Sequence, residues 1–243
     1  MRVAHVDGAA RTLRIFQEAP ELLRELRPRA AELEHVRVPL LVVEPGRWQL
    51  PAPVDGGGRH FGLFLLEGLV LRRVTLNGRT CAELLGDGDI LQPWVRQSPY
   101  DTLMAEASWE VLEETRLAVL DGRFAAEVAP LPEVATSLVE RAVERARALA
   151  LQHVASHTTG LRGRLLAMLW AVADRWGRVT PRGVLVPLAL THATLAELVG
   201  ASRPSVSTAL VQLAREGAVE RVAGGWLLDR RSAPGWTVGD EVA

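Results

Sequence analysis

The stretch Thr191 to Gly217, THATLAELVGASRPSVSTALVQLAREG, constrains this chain more than any other. Thr191 is the residue type whose hydroxyl accepts an orphan backbone N–H at a helix start. Leu195, Leu198 and Val199 then share one helical face. Gly200 follows at once, and a residue without Cβ suits the left-handed conformation that ends a helix. Ser202 caps a second helix, with Pro204 in the first turn, where a missing N–H costs little. Val206, Leu210 and Leu213 form its buried stripe and Gly217 closes it. Helices this short are not stable alone and must pack against each other and a further element. Downstream, GAVERVAGGWLLDR predicts strands at Val219–Val222 and Trp226–Leu228, with Gly224-Gly225 permitting a tight hairpin turn. Two capped helices followed by a hairpin predict a winged helix-turn-helix.

In such a motif the N-terminal part of the second helix meets base edges in the DNA major groove. The face opposite the buried stripe carries Pro204, Ser205, Thr208 and Val211, flanked by Arg203 and Ser207. Arg203 is the strongest base-reading candidate, because a guanidinium can bond O6 and N7 of guanine together. Ser205, Ser207 and Thr208 are short donors or acceptors for phosphate or base, and the Thr208 methyl suits a thymine methyl. Thr191, His192 and Ser202, at the helix starts, and Arg221, on the wing and within reach of a phosphate, complete the expected DNA-binding set. The plain alternative is a helical hairpin in a core, since a short helix-turn-helix pattern is weak evidence by itself. The wing and the caps favour the first reading.

Charge supports it. The 243-residue chain has a net charge of −1, unevenly spread. Thr158 to Arg231 holds ten arginines against five acidic residues, a net +5. Positive charge is thus concentrated where counterion release from DNA would need it. The chain has no lysine, which reads either as phosphate preference or, since arginine is spread throughout, as codon bias. A hydrophobic fraction of 48% supports a sizeable core. No apolar run is long enough for a bilayer and no signal-peptide pattern opens the chain, so a cytoplasmic protein without membrane partners is expected. One cysteine, Cys81, excludes an internal disulfide and an all-cysteine metal or iron–sulfur site in one chain.

Upstream the character changes twice. Gln17 to Arg27 and Arg29 to Val36 predict two short helices. Val38–Val43, Phe61–Leu66, Leu69–Val74, Thr80–Leu84, Thr102–Ala107, Trp109–Leu112 and Arg116–Leu120 are short apolar or alternating runs with turn signals between them, among them Asn77-Gly78. That pattern predicts a barrel, roll or jelly roll over residues 1–131. From Pro132 a helix is expected to about Ser156, with Val134, Leu138, Ala142, Val143, Ala146, Leu149 and Ala150 as its apolar seam and Glu140, Arg141, Glu144, Arg145 and Arg147 exposed. The seam reads either as half of a coiled coil or as a helix lying on the roll. Residues 132–157 are accordingly read as a dimerisation helix and hinge, and 158–243 as the DNA-binding domain. That domain opens with a helix over Leu161–Gly177, and Val184–Leu190 is expected to be a strand.

The whole arrangement resembles the Crp/Fnr superfamily of bacterial transcription regulators. The resemblance is most specific in LTHATLAELVGASRPSVSTALVQLAREGAVER, Leu190 to Arg221, and extends through LRGRLLAMLWAVADRWG, Leu161 to Gly177. It reaches back through GLFLLEGLVLRRVTLNGRTCAELLGDGDIL, Gly62 to Leu91, where Leu66-Glu67-Gly68 and Gly88-Asp89 look like turns of the family's cyclic-nucleotide-type roll, and through VPLLVVEPGRW, Val38 to Trp48. It implies an α+β fold: an effector-binding β-roll, a long dimerisation helix and a winged helix-turn-helix. It implies a homodimer on a palindromic site, with double-stranded DNA and RNA polymerase as partners. Arg203 matches a base-reading arginine. At Pro204 and Thr208, members of the catabolite-activator type carry a glutamate and an arginine, so the target site should differ.

The pocket also departs. Where cyclic-nucleotide binders follow Gly-Asp with Gly-Glu and then Arg-Ser, this chain has Ile90-Leu91-Gln92-Pro93-Trp94 and then Pro99-Tyr100. Arg96 is the one cation nearby, so a cyclic phosphate would be poorly compensated and cyclic AMP is not expected. Trp94, Tyr100 and Trp109 either line an apolar or aromatic ligand site or are plain core. An effector pocket around Arg96, Trp94 and Tyr100 is the expectation, with no cofactor. His153 and His157 share a helical face but find no third ligand in the sequence, so no metal site is expected. No catalytic constellation is apparent, and an enzyme is not expected. The alternative of another class is a small-molecule-binding roll, enzyme or sensor, whose C-terminal domain contacts protein.

Overall fold

The computed structural model describes residues 11–23, 33, 35–49, 61–92, 105–157 and 160–233. They divide into two compact units, 1–79 with 83–146 and 147–243 with 80–82.

The first unit is an antiparallel roll. Strands β1 (Thr12–Arg14), β2 (Arg37–Val43), β3 (Gly46–Trp48), β4 (Gly62–Leu76), β5 (Arg79–Leu85), β6 (Ile90–Leu91) and β7 (Glu106–Leu120) form one sheet ordered β1-β2-β7-β4-β5, with β3 beside β7 and β6 beside β4. Two runs expected as separate strands, Phe61–Leu66 and Leu69–Val74, are one strand, β4. The three runs from Thr102 to Leu120 merge, within the described residues, into its partner β7. Gly68 does not break β4. It takes φ 115° within a series of register shifts between Leu65 and Val70, and a Cβ there would press on Thr115 and the Glu114 carbonyl. A glycine inside a strand pattern marks a bulge as readily as an end. Asn77 and Gly78, with φ of 50° and 75°, make the tight turn expected between β4 and β5.

Alternation along the central strands produces two apolar clusters. Phe64 and Ala118 belong to one, with Phe16, Phe124, Val134 and Leu138. Leu63, Leu65 and Leu117 belong to the other, with Trp48, Val70, Val111 and Trp109. Trp109 is therefore core: it meets Trp48 edge-on at 6.3 Å and carries the Arg72 guanidinium 5.6 Å from its ring centroid.

Of the first expected N-terminal helix, Gln17–Arg27, residues 17–23 are described, and they are not one continuous helix. α1 spans Ile15–Glu18, followed by a 3-10 turn at Pro20–Leu23, because proline cannot donate to the preceding turn. Most of the second expected helix lies outside the described residues. A short helix not anticipated, α2 (Gly122–Val128), starts where the Asp121 carboxylate accepts the Phe124 N–H at 2.9 Å.

α3 spans Pro132–Ser156, with proline at its first position, where a missing N–H is tolerated. Its apolar residues do not form one seam. Val134 and Leu138 are buried in the roll, whereas Val139 and Val143 are about 60% exposed and Ala142, Ala146, Leu149 and Ala150 are exposed. Arg141 and Arg145, expected in solvent, lie on the face of Val134 and Leu138 and are only half-buried. Arg141 donates to the Gly88 carbonyl at 3.3 Å and packs over Phe64. Arg145 forks onto Glu83 at 2.7 and 2.9 Å and donates to the Ile90 carbonyl at 2.9 Å. Burial pulls the Arg145 pKa down, but the hydrogen bond and charge of Glu83, with the charge of Asp89, outweigh it and hold the guanidinium above its ordinary value.

The second unit holds α4 (Leu161–Trp176), β8 (Arg178–Thr180), β9 (Gly183–Val186), α5 (His192–Val199), α6 (Arg203–Arg215), β10 (Val219–Val222) and β11 (Gly225–Leu228). Three helices pack beside an antiparallel sheet ordered β10-β11-β9-β8. Leu165, Met168, Leu169, Val172 and Ala173 of α4 meet Leu195, Leu198 and Val199 of α5 and Val206, Ala209, Leu210 and Leu213 of α6 as the buried faces of the three helices. The expected strand at Val184–Leu190 stops at Val186, and the hairpin partner β8 was not anticipated. Among the described residues no helix is long and apolar enough to cross a membrane.

Candidate nucleic-acid interface

Both helices of the motif begin as their caps dictate. The Thr191 hydroxyl accepts the Thr194 N–H at 3.1 Å, and the Ser202 hydroxyl accepts the Ser205 N–H at 3.3 Å. Gly200 ends α5 at φ 64°, with open space around the missing Cβ, so its role is conformational. Arg203 takes the first position of α6 and Pro204 the second. The helix ends at Arg215, and Gly217 follows at φ 73°. The wing turn is Ala223-Gly224 rather than Gly224-Gly225. Gly225 opens β11 facing Val222 across the turn, and a Cβ on it would collide with the Val186 carbonyl oxygen. That close approach seats β11 against β9.

Thr191, His192, Ala193, Arg203 and Arg221 line one groove of about 510 Å³. Arg203 is exposed, and no described side chain or carbonyl engages its guanidinium. Ser207 lies one turn further along α6 and donates to the Arg203 carbonyl at 3.0 Å. Its oxygen therefore accepts from His192 Nδ1–H at 2.8 Å, which leaves Nε2 as the ring nitrogen not held by Ser207. The His192 ring lies 6.0 Å from Trp226.

Arg221 is held more firmly. It donates to the Leu190 carbonyl at 2.7 Å and stacks 4.5 Å from the Trp226 ring centroid, while the Trp226 indole N–H donates to the same carbonyl at 3.2 Å. This clamp ties the wing to the entry of α5 and fixes where the Arg221 charge lies.

The remaining expected residues divide by what their hydroxyls do. Ser205 shares a hydrogen bond with Ser202 at 2.7 Å, and Thr208 donates back to the Pro204 carbonyl at 3.2 Å. Both keep acceptor capacity toward solvent and both are exposed. Pro204, Ser205, Thr208 and Val211 lie on the outer face of α6, and Gln212 and Arg215, which the sequence reading passed over, prolong the same exposed stripe by helical periodicity. Ala193 also joined the groove unanticipated. Its signal was its place in the first turn of α5, where a small side chain leaves the groove open.

Neighbouring acidic groups are largely paired outside the groove. Glu216 binds Arg162 and Glu220 binds Arg182, each at 2.7 Å. The expected effector-pocket residues Trp94, Arg96 and Tyr100 lie outside the described residues. Within the roll the described turn is well satisfied: Asp89, 4% exposed, accepts the Gly86 N–H at 2.8 Å.

Residues 163–232 match the family model of the Crp-like helix-turn-helix domain. No curated protein matches the sequence. Among solved structures, a cyclic nucleotide-binding domain containing protein from Listeria monocytogenes EGD-e superposes with a TM-score of 0.63 at 16% identity, over 86% of this chain and 97% of that one. CooA from Carboxydothermus hydrogenoformans gives 0.58 at 19% identity, over 79% and 84%. A transcriptional regulator of the CRP family from Thermus thermophilus gives 0.53 at 21% identity, over 77% and 90%. The roll followed by a winged helix-turn-helix is thus a fold shared with these structures.

Proposed function

We propose that this chain, whose residues 163–232 match the Crp-like helix-turn-helix domain, is a regulator of the Crp/Fnr superfamily, a homodimer that binds a palindromic DNA site and regulates transcription. α6 enters the major groove with its outer face. Arg203 reads a guanine edge, Thr208 and Val211 make short polar and apolar contacts, and Thr191, His192, Ser202, Ser205, Ser207 and Arg221 meet phosphates or hold the groups that do.

One observation carries the reading. The guanidinium of Arg203 stands exposed at the N-terminus of a capped helix, beside a groove whose other charged group, Arg221, is fixed by the wing. A free cation at a helix start suits a polyanion with readable edges better than a packed protein face.

The dimer is supported by α3. Its exposed residues Val139, Val143, Ala146, Ala150 and Val154 recur along one side, where a single copy leaves them in water. Two-fold symmetric readers place their recognition helices on half-sites about one DNA turn apart, roughly 34 Å. The roll is the sensing part, with an effector other than cyclic AMP, and RNA polymerase is the partner a regulator of this build addresses.

Selection of bound duplexes from a random pool at low salt tests the proposal. Recovery of paired inverted half-sites, with binding that weakens steeply as salt rises, is the expected result. Recovery of no symmetric site overturns it and favours a roll protein whose C-terminal domain contacts protein.

A further inference from the structure

The sequence left His153 and His157 as a pair without a third ligand, and their geometry says more than their spacing. His153 is in the last turn of α3 and His157 directly follows it, its N–H still bonded to the Val154 carbonyl at 3.1 Å. Both rings are exposed. Their Nε2 atoms face each other at 3.3 Å, with the rings edge-on at 4.6 Å between centroids, and among the described residues neither ring has another partner. In a tetrahedral site with metal–nitrogen bonds of about 2.0–2.1 Å, neighbouring ligand nitrogens lie about 3.3–3.4 Å apart. The pair is already spaced as one edge of such a tetrahedron.

Two imidazoles do not close the site, and no described group of three or more metal-ligating side chains supplies the rest. The missing ligands follow from the helix. Val139, Val143, Ala146, Ala150, His153 and His157 recur at alternating steps of four and three, the repeat of a two-stranded seam, and all six are exposed. The histidines are thus the last two positions of the face assigned above to the second copy.

We propose that His153 and His157 with the partner copy's equivalent pair form a four-imidazole site for a divalent transition metal of the zinc class at the two-fold axis. The inference rests on the homodimer reading. Four neutral imidazoles suit zinc, copper or nickel and suit calcium or magnesium poorly. Each Nε2 is the ligand atom and each Nδ1 keeps its proton. A metal here clasps the end of the seam at the C-terminus of α3.

Full-length protein, freed of metal with chelator, is titrated with zinc alone and separately with cobalt(II), while sedimentation records the oligomeric state. One zinc per two chains is expected, with the visible spectrum of tetrahedral cobalt and a loss of affinity of about tenfold or more in His153→Ala and in His157→Ala. Both positions are exposed, so the variants should fold, and an unchanged melting temperature of the metal-free forms checks this. A metal-free dimer that binds no zinc, or binds it equally well in both variants, overturns the metal site and leaves the dimer standing. One zinc per chain without self-association also overturns it. A chain that is monomeric with and without zinc overturns both readings, whereas a dimer that zinc tightens in the parent and not in the variants supports both.

Discussion

The roll and the winged domain differ most in how far apart in the chain their determining partners lie. In the winged domain Thr191 caps through Thr194, Ser202 through Ser205, and Val222 faces Gly225 across a two-residue turn. In the roll Gly62 pairs with Leu120, Arg116 reaches Glu18, and Arg145 reaches Glu83. Local instructions give short helices whose outward face is free for a ligand. Distant ones give a sheet whose strands run through apparent stop signals, because a cross-strand partner outweighs the local preference of a glycine. The helix-turn-helix is thus specified mostly within short stretches, and the roll depends on contacts across its whole unit.

The sharpest way to break this contrast is in the roll core. Phe124, 1% exposed, lies 6.3 Å from Phe16 and 5.9 Å from Phe61 between ring centroids. Phe124→Ala should cost about 3–5 kcal/mol, read as a lower urea midpoint for loss of the roll. If the far-separated contacts of the roll do not matter, the midpoint will hardly move.

Next is the Glu83 and Arg145 pair, with side chains 11% and 19% exposed. Glu83→Ala removes the carboxylate that Arg145 forks onto and that Arg72 also reaches at 3.5 Å, and should cost about 3 kcal/mol, the lower end for a broken buried pair because the groups keep some solvent. The double variant Glu83→Leu with Arg145→Met should recover much of that loss. A double variant as unstable as the single one would show that the charges themselves hold the strand to α3.

Arg203→Ala should weaken binding to the selected site by about 1–3 kcal/mol and relax one base preference in each half-site, with the melting temperature unchanged. Equilibrium titration against the site and against single-base variants checks both parts.

The smallest effect belongs to the caps. Ser202→Ala should destabilise the winged domain by about 1 kcal/mol, and Ser202→Gly by a few tenths, measured by denaturant unfolding. Equal losses for the two would mean that the hydroxyl matters for something other than the Ser205 N–H.

The legibility of each part in the sequence follows the same division. The caps, Gly200, the buried faces of α5 and α6, the strand β10 and the turn at Asn77-Gly78 were readable because each is settled within a few residues. Val206, Leu210 and Leu213 are buried as their spacing demands, with Ala209 added. What escaped was settled elsewhere. β8 is three residues, two of them exposed, that become a strand by pairing with β9, itself held to β11. β4 passes through Gly68 because β7 lies alongside it. Arg141 and Arg145 look like solvent residues by type, and only the placement of Gly88, Ile90 and Glu83 draws them in. Of the groove's lining, Thr191, His192, Arg203 and Arg221 were singled out by the sequence and Ala193 was not, and nothing local to Arg221 announces that the Leu190 carbonyl and Trp226 will hold it, while Arg203 is left exposed.

The claim on which the account turns is that the outer face of α6 lies in the major groove, with Arg203 on a guanine. Methylation of guanine N7 blocks the major-groove edge that a guanidinium would use. Interference should appear at symmetric guanines in the two half-sites of the selected duplex, and Arg203→Ala should abolish it at one guanine in each. Interference confined to adenine N3 in the minor groove, or a guanine pattern identical in the parent and in Arg203→Ala, would contradict it.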